Sequence, residues 1–136
     1  MNPRLDALRR VLAGLPPASE QAWLWPNPEV RANGTIGFPH PIYCKGLEDA
    51  FNAFRDGKFG FAVGDKRYLD CLEAWQKRTG KDAFNPANAA FLDREVCLLI
   101  WRFFDRQERF ADGAWTHAHS SGLLHSTLAR LIKLET

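Results

Sequence analysis

An apolar run near the middle of the chain constrains the fold more than any other feature. Residues 96–101 read Val-Cys-Leu-Leu-Ile-Trp, without a charged side chain. Apolar residues recur at three- and four-residue steps around this run, at Leu92, Val96 and Phe103, which is typical of a helix. Further apolar residues widen this stripe beyond one face, so other segments must cover the helix on several sides. The sequence therefore predicts a buried central helix over about 86–109.

The length and composition of the chain are those of an ordinary globular domain. Its 136 residues suffice to bury about two thirds of the surface of the unfolded chain. Hydrophobic residues make up 46% of the chain and charged residues 25%, which is enough of each for a core and a solvated surface. We expect a mainly α, single compact domain over residues 1–136. It comprises an N-terminal helix (1–15), a Pro- and Trp-rich hairpin segment (19–43) and a helical core (44–136).

Charge and hydropathy narrow the functional classes. Eighteen basic and sixteen acidic residues give a formal net charge of +2, which is too small to require a polyanionic partner. No run approaches the roughly 18 apolar residues of a membrane span, and the N-terminus lacks the apolar core of a signal peptide. We expect a cytoplasmic protein with no membrane partner. The sequence does not identify its partner and leaves a protein and a nucleic acid open.

Cysteine and histidine usage predicts neither a disulfide nor a metal site. Cys44, Cys71 and Cys97 are odd in number and far apart, and no Cys-x-x-Cys pair occurs. His117 and His119 are two residues apart, so they point to different sides of a helix and cannot chelate one ion from it. We expect buried free thiols, no metal and no cofactor.

The N-terminal segment predicts an amphipathic helix over residues 1–15. Its apolar side chains recur at helical steps, at Leu5, Leu8, Val11 and Leu12. Gly14 and the two prolines after it should end the helix. Arg4, Arg9 and Arg10 fall on its outer side, where a charged face is normally just solvated. We therefore expect this helix to serve packing alone.

The next segment carries the strongest hairpin signal in the chain. Asn33-Gly34 lies between β-compatible residues, which is typical of a tight two-residue turn. Four prolines in the same segment exclude a long helix. The pattern predicts a small β-hairpin near 29–38. Because two strands alone are marginal in water, we expect the tryptophans of this segment and Phe38 to attach the hairpin to the helices.

Glycine and capping residues mark the ends of the predicted helices. Gly57 and Gly80 follow apolar helical stripes and should close them in the left-handed conformation. Asp65 is expected to cap the helix that ends at Gly80. Asn85, which is followed by proline, is expected to cap the central helix.

The central helix leads into a charged octet, residues 106–113, which read Arg-Gln-Glu-Arg-Phe-Ala-Asp-Gly. Arg102, Arg106 and Arg109 fall at steps of four and three, so they share one helical face. Their guanidinium groups could bind a phosphate or a carboxylate of a partner.

The alternative is an internal role for the same arginines, and the sequence favours it. Asp105 is within reach of Arg102 and Arg109 on a helix, and Glu108 and Asp112 could complete an ion-pair network that ties the central helix to the next one. Phe110 is expected to anchor the turn. Asp112-Gly113 should supply the cap and the backbone freedom that the turn needs.

The octet resembles the C-terminal signature of a bacterial family known only as a domain of unknown function. The matching residues are Arg106-x-Glu108-Arg109-Phe110-x-Asp112-Gly113, followed by Gly122 and by Leu128-x-Arg130-Leu131. Looser matches upstream extend the likeness over about residues 39–131. Where relatives often have a small hydroxyl residue ahead of the arginine, this chain has Phe103-Phe104-Asp105. The resemblance implies a compact, mostly helical domain and supplies no activity.

Residues 114–133 permit an interpretation as a DNA-binding helix-turn-helix. A small residue, a turn glycine and a later apolar pair have the right spacing, at Ala118, Gly122, Leu128 and Leu131. The second helix would present His125, Ser126, Thr127 and Arg130 to DNA. Only Arg130 and Lys133 carry full positive charges there, whereas phosphate contacts normally dominate affinity. An αα-hairpin that closes the core is therefore favoured.

An enzyme is a further alternative. Glu108, Asp112 and His117 could form the acid and base groups of a hydrolytic or nucleic-acid-processing activity if the turn brings them together. No nucleophile or phosphate-binding loop accompanies them, and a thiol buried at Cys97 would be inert. The leading hypothesis is a non-enzymatic binding or regulatory module whose functional surface includes residues 106–113.

Overall fold

The computed structural model describes residues 2–24, 29–30, 32–34, 36–37, 42–60, 67–110 and 113–136. In these ranges the helices are α1 (Pro3–Gly14), α2 (Lys45–Arg55), α3 (Tyr68–Thr79), a 3-10 helix (Pro86–Phe91), α4 (Arg94–Phe110), α5 (Ala114–Ser120) and α6 (Leu123–Glu135). The strands are β1 (Trp23–Leu24), β2 (Glu29–Val30), β3 (Ile36–Gly37) and β4 (Ile42–Tyr43). No helix in the described ranges is long and apolar enough to cross a membrane. The predicted mainly α fold is confirmed.

Helix α4 is the buried centre of the fold. Residues 96–101 are each at most 4% exposed. The helix is contacted by α2, α3, α5 and α6. Trp101 packs against Phe51 and Phe59, and its Nε1–H donates to Thr127 Oγ1 at 2.9 Å. The expectation that neighbouring segments cover the apolar run on several sides is therefore confirmed.

The start of the central helix corrects the prediction of one helix over 86–109. Asn85 does act as a cap, since its Oδ1 accepts the N–H of Ala87 at 3.0 Å, but it caps the separate 3-10 helix. Leu92 is extended, with φ −75° and ψ 138°, and α4 begins only at Arg94. Asp93 caps α4, because its Oδ1 accepts the N–H of Val96 at 2.8 Å. Because the Asp93 side chain bonds to a backbone N–H three residues further on, a new helix starts there and the segment is divided into two helices.

The ends of α2 and α3 agree with the predicted glycines. Gly57 (φ +72°) follows the last turn of α2, and Gly80 (φ +69°) closes α3, its N–H donating to the carbonyl of Gln76. Both positions require a left-handed backbone that side chains disfavour. The predicted cap at Asp65 lies outside the described residues.

The strands form two short antiparallel pairs. Val30 of β2 lies opposite Ile36 of β3, which confirms the predicted hairpin. Trp23 of β1 lies opposite Tyr43 of β4, a second pair that the sequence did not predict. Phe38 and Trp25, which we expected to attach the hairpin, lie outside the described residues. In the described part the ribbon meets the helices through Tyr43, whose ring lies 5.0 Å from that of Trp115.

Helix α1 packs against α6 and α2. The end of α1, at Gly14, contacts the start of α2, at Gly46. Pro3 at the start of α1 and Lys58 just after α2 line the same cavity. The two helices therefore run antiparallel. A Cβ atom at Gly46 would lie 2.1 Å from the carbonyl oxygen of Gly14. Only glycine permits this approach of two backbones.

Candidate functional site

Asp105 pairs with an arginine from another helix. Its carboxylate is 1% exposed and accepts from Arg55 of α2, at 2.6 Å from Nη2 and 3.0 Å from Nε to Oδ1. The Arg55 guanidinium also lies 5.2 Å from the ring centre of Trp115. This corrects the expected pairing of Asp105 with Arg109. Asp105 faces the interior, whereas Arg109 is exposed, so the in-helix spacing does not bring them together.

Glu108 closes the turn after α4. Both of its carboxylate oxygens accept from the Tyr43 hydroxyl, with Oε2 at 2.9 Å, and Glu108 also accepts the N–H of Gly113 at 3.2 Å. Burial, followed by the hydrogen bond to Glu108, raises the pKa of Tyr43 above its ordinary value, so this hydroxyl keeps its proton and donates it. Glu108 therefore joins strand β4 to the start of α5, and this corrects its expected role as a counter-ion for the arginines.

Helix α5 begins directly after Gly113. Gly113 occupies the N-cap position with φ +101°. Glycine has no side chain with which to cap, and the Glu108 carboxylate reaches its N–H from the preceding helix. Asp112, which we expected to cap this helix, lies outside the described residues, as does the side chain of Phe110. The glycine of the octet thus supplies both the left-handed backbone and the bond that fixes the turn.

The arginines of the octet face outward. Arg106 is half-buried, with its Cζ 5.9 Å from the ring centre of Tyr68, and Arg109 is exposed. Within the described ranges neither arginine forms an ion pair with an acid. Tyr68 and Leu69, which is 51% exposed, line a shallow cavity of about 280 Å³ at the start of α3. Arg106 contacts Tyr68 of this cavity, and Arg109 lies three residues further along α4. We give the name arginine face to Tyr68, Leu69, Arg106 and Arg109.

The acid and base groups of the enzyme alternative are not joined. His117 is exposed and its ring lies 6.2 Å from that of Phe104. In the part of the chain that is described, no hydrogen bond or ion pair connects it to Glu108, whose oxygens are occupied by Tyr43 and Gly113. Asp112 is outside that part. The geometry therefore gives Glu108 a structural contact and leaves His117 on the surface.

Helices α5 and α6 form the expected helix–turn–helix, with Gly122 (φ +84°) between them. The residues proposed to contact DNA, however, point mostly inward. Thr127 is fully buried and accepts from Trp101, and the Arg130 Nε–H donates to the carbonyl of Leu92 at 2.8 Å. The Ser126 hydroxyl donates to the carbonyl of Leu123 within α6. This corrects the proposed DNA contact of Thr127, and the arrangement favours the packed αα-hairpin.

Two histidines share one backbone carbonyl. Nε2 of His119 and Nε2 of His125 each lie 2.9 Å from the carbonyl oxygen of Pro16, so each ring must donate an N–H there. His119 is buried while His117 is exposed, as their spacing predicts. The carbonyl just after α1 is thereby held to both α5 and α6.

We expect the protein to lose stability below about pH 6.5 through His125. Burial lowers the pKa of His125 from its ordinary value of 6.5, the Pro16 carbonyl partly opposes this, and His119 lowers it further. The folded state thus binds the proton less readily than the unfolded chain. The contribution of neutral His125 to the free energy of unfolding is therefore complete above pH 6.5 and is lost as the pH falls. Urea unfolding between about pH 5 and 8 measures it. His125→Gln keeps an amide donor and should show a shallower loss; identical slopes would contradict the assignment.

The thiols follow the prediction in part. Cys97 is fully buried, and burial raises its pKa to about 12, so it is an inert thiol. Cys44 and Cys71 are free but only half-buried. Among the described residues no group of three or more His, Cys, Asp or Glu side chains is placed to hold a metal ion.

Cavities that the sequence did not predict lie along α1. One of about 560 Å³ lies between α1 and α2, and Arg10 and Lys58 are among its lining residues. A second, of about 490 Å³, is lined by Arg4, Lys58 and Glu135 and shares Lys58 with the first. We had expected the arginines of α1 to be merely solvated. No sequence signal connects these positions, because they come from distant parts of the chain.

Comparisons with known proteins give a family and no activity. The sequence model of one protein family, described as a family of unknown function (DUF6508), matches residues 1–136. This agrees with the expected likeness of about residues 39–131 to a family of unknown function. No curated protein and no solved structure matches the chain. The function therefore has to be argued from the surface just described.

Proposed function

The chain belongs to the DUF6508 family of unknown function, and we propose that it is a non-enzymatic binding module that docks an acidic protein segment on its arginine face. The observation that carries this proposal is the placement of the neighbouring acids. Asp105 is held by Arg55, and Glu108 by Tyr43 and Gly113, so neither neutralises Arg106 or Arg109. Asp105 and Glu108 are two of the three acids of the internal ion-pair network that the sequence favoured, and both bond to groups outside the octet arginines.

The arginine face combines charge with apolar surface. Arg106 is held over the ring of Tyr68, which fixes its guanidinium without neutralising it. Leu69 is exposed beside the shallow cavity. A partner segment that places a carboxylate on Arg106 or Arg109 and an apolar side chain on Leu69 would use both features.

The interaction energies available on the arginine face indicate a transient complex. An exposed ion pair contributes about 0.2–1 kcal/mol, and two of them fall far short of the roughly 8 kcal/mol of a micromolar complex. The apolar contact at Tyr68 and Leu69 must therefore supply much of the affinity, and the charges mainly select an acidic partner. We expect binding that is weak and sensitive to salt.

An acidic protein segment fits this surface better than a nucleic acid does. Strong binding to nucleic acid typically uses about 6–10 phosphate contacts. The arginine face offers Arg106 and Arg109, and the formal charge of the chain is only +2. Of the proposed DNA-reading residues, Thr127 and Arg130 already bond inside the fold.

A cytoplasmic setting and a bacterial source belong to the same proposal. The three cysteines are free thiols, which a reducing compartment preserves. The bacterial source rests on the likeness of residues 106–113 to the signature described above.

The test is a titration with a defined acidic probe. A fluorescein-labelled peptide of repeated Glu-Glu-Leu is titrated with the protein at about 0.05 M and 0.3 M NaCl and followed by anisotropy. The Arg106→Ala/Arg109→Ala variant should bind at least about tenfold more weakly, equivalent to about 1.4 kcal/mol, with an unchanged melting temperature. Arg78→Ala, an exposed arginine of α3, is the matched control and should bind normally.

Three results would contradict the proposal. They are equal binding by the double variant and the wild type, binding that does not weaken with salt, and tighter binding to a single-stranded oligonucleotide than to the peptide. If the double variant lowers the melting temperature and leaves binding intact, the arginines are structural.

A further inference from the structure

Two guanidinium groups lie side by side next to Gly60. From the position that a Cβ atom would take at Gly60, Arg94 Nη2 is 1.6 Å away and Arg4 Nε is 3.3 Å away. The two nitrogen atoms are therefore at most about 5 Å apart, a distance at which like charges repel. Arg94 belongs to the first turn of α4 and Arg4 to the first turn of α1, so the tertiary fold alone brings them together.

The carboxylate of Glu135 interacts with both members of this pair. Glu135, at the end of α6, accepts from Arg4 Nη1 at 2.8 Å and from Asn2 Nδ2 at 3.2 Å. The hydrogen bond from Arg4 is the main reason why the pKa of Glu135 is lowered, and the charge of Arg94 also contributes. Arg94 donates from Nη2 to the carbonyl of Phe59 at 3.3 Å, while its buried Nε has no hydrogen-bond partner in the described part of the chain.

Lys58 adds a third positive charge. It lines the cavity of about 490 Å³ together with Arg4 and Glu135. Its side chain is exposed, and within the described ranges it forms no ion pair. The lining of this cavity together with Arg94 beside it thus holds three cations and the carboxylate of Glu135, a formal surplus of two positive charges, while Asp6, Asp49 and Asp56 line the adjoining cavity.

We propose that Arg4, Lys58 and Arg94 bind the phosphate group of a small phosphorylated molecule. A phosphate monoester carries close to two negative charges at neutral pH and so balances the surplus, whereas a carboxylate would neutralise only half of it. Guanidinium groups match the oxygens of a phosphate in pairs, and the ammonium group of Lys58 completes the set as a point charge.

The organic part of the ligand lies between α1 and α2. The cavity there shares Pro3 and Lys58 with the cationic one, so the two adjoin. Its volume of about 560 Å³ is that of a small-molecule site. Ala7 and Ala53 give it an apolar floor, and Asp6, Asn52 and Asp56 supply oxygens that accept hydrogen bonds from hydroxyl groups. The ligand class that fits is a sugar or polyol phosphate.

Thermal unfolding of the full chain tests this site. Ribose 5-phosphate, inorganic phosphate and ribose are added separately in chloride buffers of equal ionic strength. Ribose 5-phosphate should raise the melting temperature the most, inorganic phosphate less, and ribose not at all. Lys58→Ala should weaken the binding of ribose 5-phosphate at least about tenfold without changing the melting temperature of the free protein. Arg9→Ala, on an exposed position of α1, is the matched control.

Several outcomes would overturn the assignment. They are no shift with ribose 5-phosphate, an equal shift in Lys58→Ala, and retention on phosphatidic acid vesicles without any response to ribose 5-phosphate. The Arg106→Ala/Arg109→Ala variant should keep the full shift, because the arginine face shares no residue with this site. A failure of the acidic-peptide test and a failure of the phosphate test can therefore be told apart.

Discussion

Replacing Arg55 by methionine is expected to lower the free energy of unfolding by about 3–5 kcal/mol, because it leaves the buried charge of Asp105 without a cation. Asp105 is only 1% exposed and cannot recover its hydration by turning to water. The methionine keeps most of the side-chain length, so the loss reports on charge more than on packing against Trp115.

The reverse change should cost less. Asp105→Asn leaves Arg55, whose side chain is 42% exposed and can be hydrated where it lies. An asparagine amide also retains an oxygen that accepts from Arg55. The Arg55→Met/Asp105→Asn variant removes both charges and should recover part of the stability that Arg55→Met loses.

Urea unfolding of the four proteins measures this as a double-mutant cycle. Equal losses in the two single variants would contradict the asymmetry, since they would mean that both partners are equally buried. A loss below about 1 kcal/mol in Arg55→Met would show that the pair behaves as a surface ion pair.

Gly46→Ala is the second substitution expected to have a large effect, about 1–3 kcal/mol or more of destabilisation. Its Cβ would lie 2.1 Å from the carbonyl oxygen and 3.0 Å from the carbonyl carbon of Gly14. Both are backbone atoms, so no side chain can rotate out of the way. The start of α2 and the end of α1 would have to move apart.

Gly14→Ala is the matched control for this substitution. Nothing lies within 4 Å of the Cβ position at Gly14, and its φ is not in the left-handed region. Because alanine is the better helix former, this variant should be as stable as the wild type or more stable by up to about 1 kcal/mol. Thermal unfolding compares the two. If Gly46→Ala and Gly14→Ala have the same melting temperature, the backbones at Gly14 and Gly46 do not approach each other closely.

Local patterns were sufficient to predict most of the helices. The apolar run at 96–101 predicted the buried helix α4, and Gly57 and Gly80 marked the ends of their helices, because helical period and left-handed glycine are encoded within one or two turns of chain. The same kind of reasoning missed the break before α4. Asp93 caps that helix, yet an aspartate inside an apolar helical pattern also reads as a solvated side chain.

The candidate sites show where local reasoning ends. Spacing along α4 suggested Arg102 and Arg109 as partners of Asp105, whereas the salt bridge of Asp105 runs to Arg55, fifty residues away. Glu108 was expected to hold an arginine and instead receives the hydroxyl of Tyr43, sixty-five residues away. The sequence predicts that the arginines share one helical face, but which acids they meet depends on how α2 and the ribbon dock on α4.

The sequence by itself determined the helical class, the buried central segment and the hairpin near 29–38, since each follows from the period and turn chemistry of neighbouring residues. Only the tertiary structure decided which charges meet. Arg4, Lys58, Arg94 and Glu135 converge because α1, α4 and α6 pack at particular rotations about their axes. The rotation of each helix depends on how side chains from all the helices pack together, so it cannot be predicted from any single stretch of sequence.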